Sequence, residues 1–509
     1  MKAGAGQEFE LWKMRERKGR KKPYEVRWRI NDVEKSRSYK TKALAQDQER
    51  RLLGAARDGE EFSLITGEPV SWVRSKETVY AAAVAYARHA WGATSAGNTR
   101  RTTRDNLVRL VLAGIDDKAA TRDPAPAPLD RVRSAVGNYA LEFTLNPDAD
   151  TPEERAVPRA CPEGEASACL AWVQRVSRPL VDVAASTDAA LALLDRSCLR
   201  VRGTGPRLVA GDTRRRRRGV LNSMLGHAVK RGVLAANPLA GVKMRRPRSS
   251  DAVNPRTVPD WNQAGRLLRA VADSSNPADR KLLAFFTVAY LAGTRPSETR
   301  AVREDDIIWP EDITDDKAVP GWGVLAAAGS RTEVGAAYTD DGAHGEDREL
   351  KGRAAGDVRM IPLPPEAVAV LRAHIATYGT APDGRLFWYP TSTDAYDVVP
   401  GKAYRRTWAR ARKHALTTAE KRLNVAARPY DLRHGCASYL IGEGVPTPEV
   451  ARRLGHTVEV LLTIYTHWFN HQEHEANALL NASYQRRGPL TGQPPEKPAE
   501  NAQNTRPEG

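Results

Sequence analysis

Tyr430-Asp431-Leu432-Arg433-His434, then Leu454-Gly455-His456, then Tyr465: this C-terminal stretch decides how the chain is read. Arginine grips phosphate oxygens through two parallel charge-assisted hydrogen bonds. Histidine adds a donor or a proton relay, and a tyrosine phenolate attacks phosphorus to give a covalent ester. Such a set cuts a phosphodiester without a metal ion. Local signals place the pieces. Thr447, Pro448 and Glu449 predict a helix start, with N-cap, N1 proline and early acid. Val450, Ala451 and Leu454 supply its apolar face and Gly455 its stop, so His456 emerges where the helix ends. Tyr465 lies nine positions on (465 − 456 = 9), after Leu461, Leu462 and Ile464. Upstream, a nearly continuous apolar helix from Arg280 to Ala292 delivers Gly293-Thr294-Arg295-Pro296-Ser297-Glu298, where Glu298 can pair with Arg295 and fix its rotamer.

The 509 residues are too many for one core, so two to four domains are expected. Lys plus Arg number 79 against 62 Asp plus Glu, a net charge of +17 that suits a polyanion such as nucleic acid. Cys161, Cys169, Cys198 and Cys436 show no paired CxxC spacing, which supports neither a disulfide framework nor a zinc site. The N-terminus is polar and basic, and no run reaches membrane-spanning length. A cytoplasmic protein with no membrane partner is the expectation.

The first sixty residues carry 17 Lys/Arg against 10 Asp/Glu, 17 − 10 = +7. Val26, Trp28 and Ile30 alternate with Arg27, Arg29 and Asn31, a period of two that predicts a half-buried strand, with a second around Lys35–Tyr39. Thr41 caps a polar helix from Lys42 to about Ala56. A small basic sheet with one helix fits this segment, and so does a solvated leader. Helical spacing continues over 75–91 and 98–113; 123–128 and 146–165 read as loops; helices resume over 166–175 and 188–194. Asp212 and Thr213 precede Arg214, Arg215, Arg216, Arg217 and Arg218, and then Val220, Leu221, Met224, Leu225, Ala228 and Val229 recur at three and four. The arginines therefore sit on the first turns of an amphipathic helix. Cations there oppose the helix dipole, which favours an external anion, and we read them as contacts to DNA phosphates, with a solvated face as the alternative. Lys243 to Arg256 is a basic linker. An acidic stretch from Glu304 to Asp316 leads to β-like runs at 323–327 and 358–363, separated by a Gly- and Asp-rich insertion over 334–346. Pro364 and Pro365 open a helix over 366–378, and beyond Gln485 the composition predicts disorder.

Taken together, the motifs resemble the tyrosine recombinases, the phage-integrase family, and most closely those of mobile elements. The resemblance spans roughly residues 70–485 and is strongest over 425–470. It implies a mainly α protein with small antiparallel β-sheets (α+β): an arm-binding domain over 1–66, a helical core DNA-binding domain over 67–250, a mixed catalytic domain over 251–485, and a tail over 486–509. It assigns catalytic roles to Arg295, Arg433 and His456, with Tyr465 as nucleophile. It also points to Lys351, ahead of the strand at Arg359–Leu363, as donor to the leaving 5′ oxygen. The family pattern is His-x-x-Arg, and here Tyr430 stands in the histidine's place, where its hydroxyl can donate to the phosphate or orient Arg433. His434 reads as a packing or supporting residue. The partners implied are double-stranded DNA at attachment sites, a homo-tetramer on DNA, and an excisionase or host DNA-bending protein. No cofactor is implied. His467, His471 and His474 are compatible with a metal, but the chemistry needs none. The rival reading is a non-catalytic regulator in which Gly444–Leu462 is a helix-turn-helix and Tyr465 only packs.

Overall fold

A computed structural model describes the chain apart from residues 1–2, 65, 71, 73–76, 95, 202–205, 243–251, 315–318, 351–355, 393–394, 470–472 and 488–509. It divides into two compact units. One comprises Met1–Ser249 with Val334–Gly345, and the other comprises Ser250–Glu333 with Glu346–Gly509.

In the first unit, Phe9–Glu16, Tyr24–Ile30 and Val33–Tyr39 form an antiparallel sheet in sequence order, backed by the helix Lys42–Arg57. The alternation does its work here: Val26, Trp28 and Ile30 are buried against Ala45, Leu52 and Ala56. Thr41 caps the helix through its hydroxyl, which accepts from the Leu44 amide. The first strand, with charged residues among its apolar ones, carried no clear signal.

The remainder of this unit is helical: Val79–Ala93, Gly97–Ala113, Glu165–Val176, Thr187–Ser197 and Gly211–Lys230 share one core. The expected start near residue 75 moves to Val79 because the Thr78 hydroxyl accepts from the Ala81 amide. The expected loop over 146–165 contains a capped turn of helix, Pro152–Arg155, and a strand, Ala156–Pro158, paired with Phe143–Leu145. The segment Val334–Gly345 packs into this unit. Arg100, almost fully buried, donates to the Tyr338 carbonyl at 2.8 Å and to Asp340 at 2.6 Å.

In the second unit the apolar helix is Leu283–Leu291, preceded by a short helical turn, Pro277–Arg280. It packs among Trp261–Ala272, Pro365–Tyr378 and Asp431–Gly442. A three-stranded antiparallel sheet runs in the order Arg359–Leu363, Gly323–Ala327, Ile307–Ile308, with Ile361 opposite Leu325. Gly329–Glu333 and Gly345–Glu349 form a separate two-stranded pair. Buried Ala426 takes a left-handed φ of +47°, fixed by its amide bond to the Thr257 carbonyl and by Trp408, whose indole donates to its carbonyl. That turn aims the chain into Arg428–Tyr430. The last helix, Glu473–Arg487, runs two residues past the expected onset of disorder. Among the described residues no helix is long and apolar enough to cross a membrane.

Candidate active site

Glu298 organises the site. It lies in the first turn of the helix Pro296–Ala301 and accepts from the backbone N–H of Arg295, so the carboxylate is fixed by the turn that carries the arginine. Around it stand three guanidinium groups. Arg359 donates at 2.6 and 3.4 Å, Arg295 pairs with it, and Arg433 lies 3.9 Å away. Burial works to raise the Glu298 carboxyl, but Arg359, Arg433 and Arg295 hold it down at about 2. Three cations against one anion leave a local charge of +2 (3 − 1); Arg359 and Arg433 are buried and Arg295 is 25 % exposed, so the surplus is unfavourable without a further anion. Among the described residues, Nε of both Arg359 and Arg433 has no hydrogen-bond partner.

Arg433 has 1 % of its side chain exposed, so its position is set by protein atoms alone. It donates to the Gly293 carbonyl at 2.6 Å, to the Leu454 carbonyl, and to His456 Nε2 at 2.8 Å. Guanidinium has no acceptor, so His456 Nε2 must accept and the ring proton of the neutral imidazole must sit on Nδ1. That Nδ1 is covered and unpartnered. Burial and the nearby Arg433 and Arg295 push His456 down to about 3, so at neutral pH it is an uncharged ring presenting one N–H. Two glycines permit this convergence. Gly293 (φ +62°) would place a Cβ 2.6 Å from Leu454 Cδ2, and Gly455 (φ +63°) would place one 2.6 Å from Arg359 Nη1.

Tyr465 ends the helix Val458–Ile464 with no exposed surface. Burial pushes its phenol well above the ordinary value of 10, with Arg433 and Arg295 opposing the shift. Its hydroxyl is 2.9 Å from His434 Nδ1. Tyr430 lies beside Arg295, and its ring is 5.1 Å from that of His434. The structure thus gathers Arg295, Arg433, His456, Tyr430 and Tyr465 into one site, though they come from four separate stretches of chain. It adds two residues that sequence reasoning missed or underrated. Arg359 keeps the phase of Ile361 and Leu363 on the buried face of its strand, and an arginine in step with core positions was the available signal. His434, read as a supporting residue, contacts the phenol directly.

Lys351 lies outside the described residues, as does His471, while His467 is exposed. Thr447 is inside its helix and caps nothing; Pro446 precedes it. The two short helices Thr447–Leu454 and Val458–Ile464 do exist, but the first delivers the Leu454 carbonyl and His456 to buried Arg433 and is built into the site. The five arginines do not act alike. Arg217 is buried, donates to the Ser197 carbonyl and lies 3.3 Å from Asn106 Oδ1, while Arg218 donates to the Val242 carbonyl. Arg214 pairs with Asp195 and Arg215 with Asp212, and Arg216 is exposed. A helix distributes five successive residues around its whole circumference, so one faces the core.

Residues 335–472 match the model of the phage integrase family, a span that holds Arg359, Tyr430, Arg433, His456 and Tyr465. A tyrosine recombinase of Thermosipho africanus (strain TCF52B) is 24 % identical over 258 residues, half of this chain and 71 % of that protein. Among solved structures, the Tn1549 transposon integrase in complex with a circular intermediate DNA aligns at 16 % identity, over 60 % of this chain and 88 % of that one, with a TM-score of 0.43. The XerH site-specific recombinase bound to difH aligns at 11 % identity, over 74 % and 96 %, with a TM-score of 0.38. The family model covers the stretch that supplies most of the site, so the chain carries a phage integrase family domain over residues 335–472. It is a tyrosine recombinase, an enzyme of site-specific DNA strand cleavage and transfer, and not the helix-turn-helix regulator.

Proposed function

We propose that this enzyme integrates or excises a phage or other mobile element at double-stranded DNA attachment sites, using Tyr465 as nucleophile. The observation that carries the assignment is the surplus of buried guanidinium charge around Glu298, next to the phenol. A phosphodiester monoanion offsets that charge. Arg295 and Arg433 hold its non-bridging oxygens, and His456 donates through Nδ1. Tyr465 Oη bonds to phosphorus, the bond to the 5′ oxygen breaks, and a proton from Lys351 completes the 5′ hydroxyl. The product is a 3′-phosphotyrosine. The 5′ hydroxyl of the partner duplex then attacks that ester and releases Tyr465, so bond energy is conserved and no nucleotide cofactor is consumed. Charge build-up on the pentavalent phosphorus is stabilised by donors already in place. Two rounds through a Holliday junction in a homo-tetramer complete the exchange. An excisionase or host DNA-bending protein sets its direction, and the cytoplasm is the compartment. The basic N-terminal sheet fits arm-site binding, and exposed Arg216 with Arg215 fits phosphate contact. A nicked suicide DNA tests the assignment. The wild type should be trapped covalently and Tyr465→Phe should bind without trapping. Trapping that survives this substitution removes Tyr465 from the role.

A further inference from the structure

A phenol cannot attack until its proton leaves, and the surroundings of Tyr465 make that departure hard. Burial disfavours the phenolate, and Oη has one titratable neighbour described within hydrogen-bond distance, the Nδ1 of His434 at 2.9 Å. Other nearby groups are unsuited to accept. Arg433 and Arg295 have no lone pair. The accepting nitrogen of His456 is occupied by Arg433. Cys436 is a buried thiol pushed up to about 12. Tyr430 is itself a phenol, and its place is the one where the family pattern has an imidazole.

We propose that His434 is a catalytic residue, the general base of the cleavage step. Its Nδ1 takes the Oη proton as Oη bonds to phosphorus and the bond to the 5′ oxygen breaks. The resulting imidazolium returns that proton to Tyr465 when the incoming 5′ hydroxyl attacks the ester; that hydroxyl's own proton goes back to the donor that served the leaving oxygen. The inference rests on the recombinase reading above. Position supports it: His434 follows Arg433 on the first turn of the helix Asp431–Gly442, where successive side chains diverge by about 100°. One turn therefore aims a phosphate clamp one way and a proton acceptor the other. Among the described residues, the charged and titratable groups around the imidazole are Tyr430, Asp431, Arg433, Arg428, His456 and Tyr465. Burial, opposed by Asp431 and assisted by Arg433 and Arg428, holds His434 down to about 4, so it is neutral and able to accept at working pH. So weak a base does not ionise the phenol in the resting site; transfer accompanies bond formation to phosphorus.

The test uses the full chain, a nicked suicide duplex, and the same duplex with a 5′-bridging sulfur, which leaves without needing a proton. Adduct formation is followed from pH 6 to 9 for wild type, His434→Ala and His434→Gln. The wild type should be nearly flat with pH. Both variants should fall by about 10²–10⁴-fold at pH 7 and then rise tenfold per pH unit, without rescue by the sulfur leaving group. Wild-type cleavage of the sulfur substrate should still slow in D2O, a measurement that needs no variant to fold. Variants within threefold of wild type, an equal loss at every pH, recovery by the glutamine or by the sulfur, or no slowing in D2O overturns the proposal. Failure of the wild type itself to form any adduct overturns the recombinase reading, and this inference with it.

Discussion

Glu298→Gln keeps the shape of the side chain and removes its charge, which makes it the sharpest probe of the site. Glu298 has 3 % of its side chain exposed and touches Arg359, itself 2 % exposed, so solvent screens this pair little. The substitution changes the local sum from +2 to +3, with Arg433 also buried. Deleting one partner of a buried ion pair costs about 3–5 kcal/mol, because the remaining charge loses its compensation. For a unit of this size each kcal/mol lowers the melting temperature by roughly 2–4 °C, so the unit holding the site should melt about 6–20 °C earlier. Thermal unfolding followed by circular dichroism at low salt reads this directly. Millimolar phosphate should return part of the loss, since an anion would occupy the place the surplus charge disfavours leaving empty. Adduct formation should drop as well, because Arg295 loses the carboxylate that fixes it. A variant that melts within 1–2 °C of wild type would refute the reasoning, since the guanidinium groups would then be solvated well enough not to need Glu298.

Acid should weaken the same unit in a window above the carboxylate range. His434 and His456 are held to about 4 and about 3, against an ordinary imidazole value near 6.5, so between pH 6.5 and 4 the unfolded chain binds protons that the folded one refuses. Each histidine then withdraws about 1.4 kcal/mol of stability per pH unit, and urea midpoints at pH 7 and pH 5 should differ less for His456→Gln than for wild type. Gly455→Ala should cost about 1–2 kcal/mol in backbone strain and also displace Arg359, lowering adduct formation. Gly379→Ala, at φ +61° and ψ −167°, should also be strained but, with open space around it, should leave adduct formation unchanged.

Much of the site was legible because its parts are local signatures. The apolar run before Gly293, the stop at Gly455 and the spacing from His456 to Tyr465 each depend on a few neighbouring residues. What escaped was set by contacts between distant residues. His434 meets Tyr465 across 31 positions, and no periodicity records that. Arg359 looked like the charged start of a strand until Glu298, 61 positions away, gave it a partner. In the arginine run, composition suggested a common role, while helix geometry sent Arg217 inward to Ser197. The first strand was hidden for a related reason: half of its residues face solvent, and its pairing with Tyr24–Ile30 is a property of the sheet.

The covered position of Tyr465 carries a consequence for fidelity. An oxygen with no accessible surface cannot meet a phosphorus atom outside the protein until the short helices around it shift, and that shift draws on the free energy of docking. A duplex that seats badly supplies too little, so its backbone stays intact even while it is held. On the nucleophile role proposed for Tyr465, recognition and scission are thereby joined in one threshold.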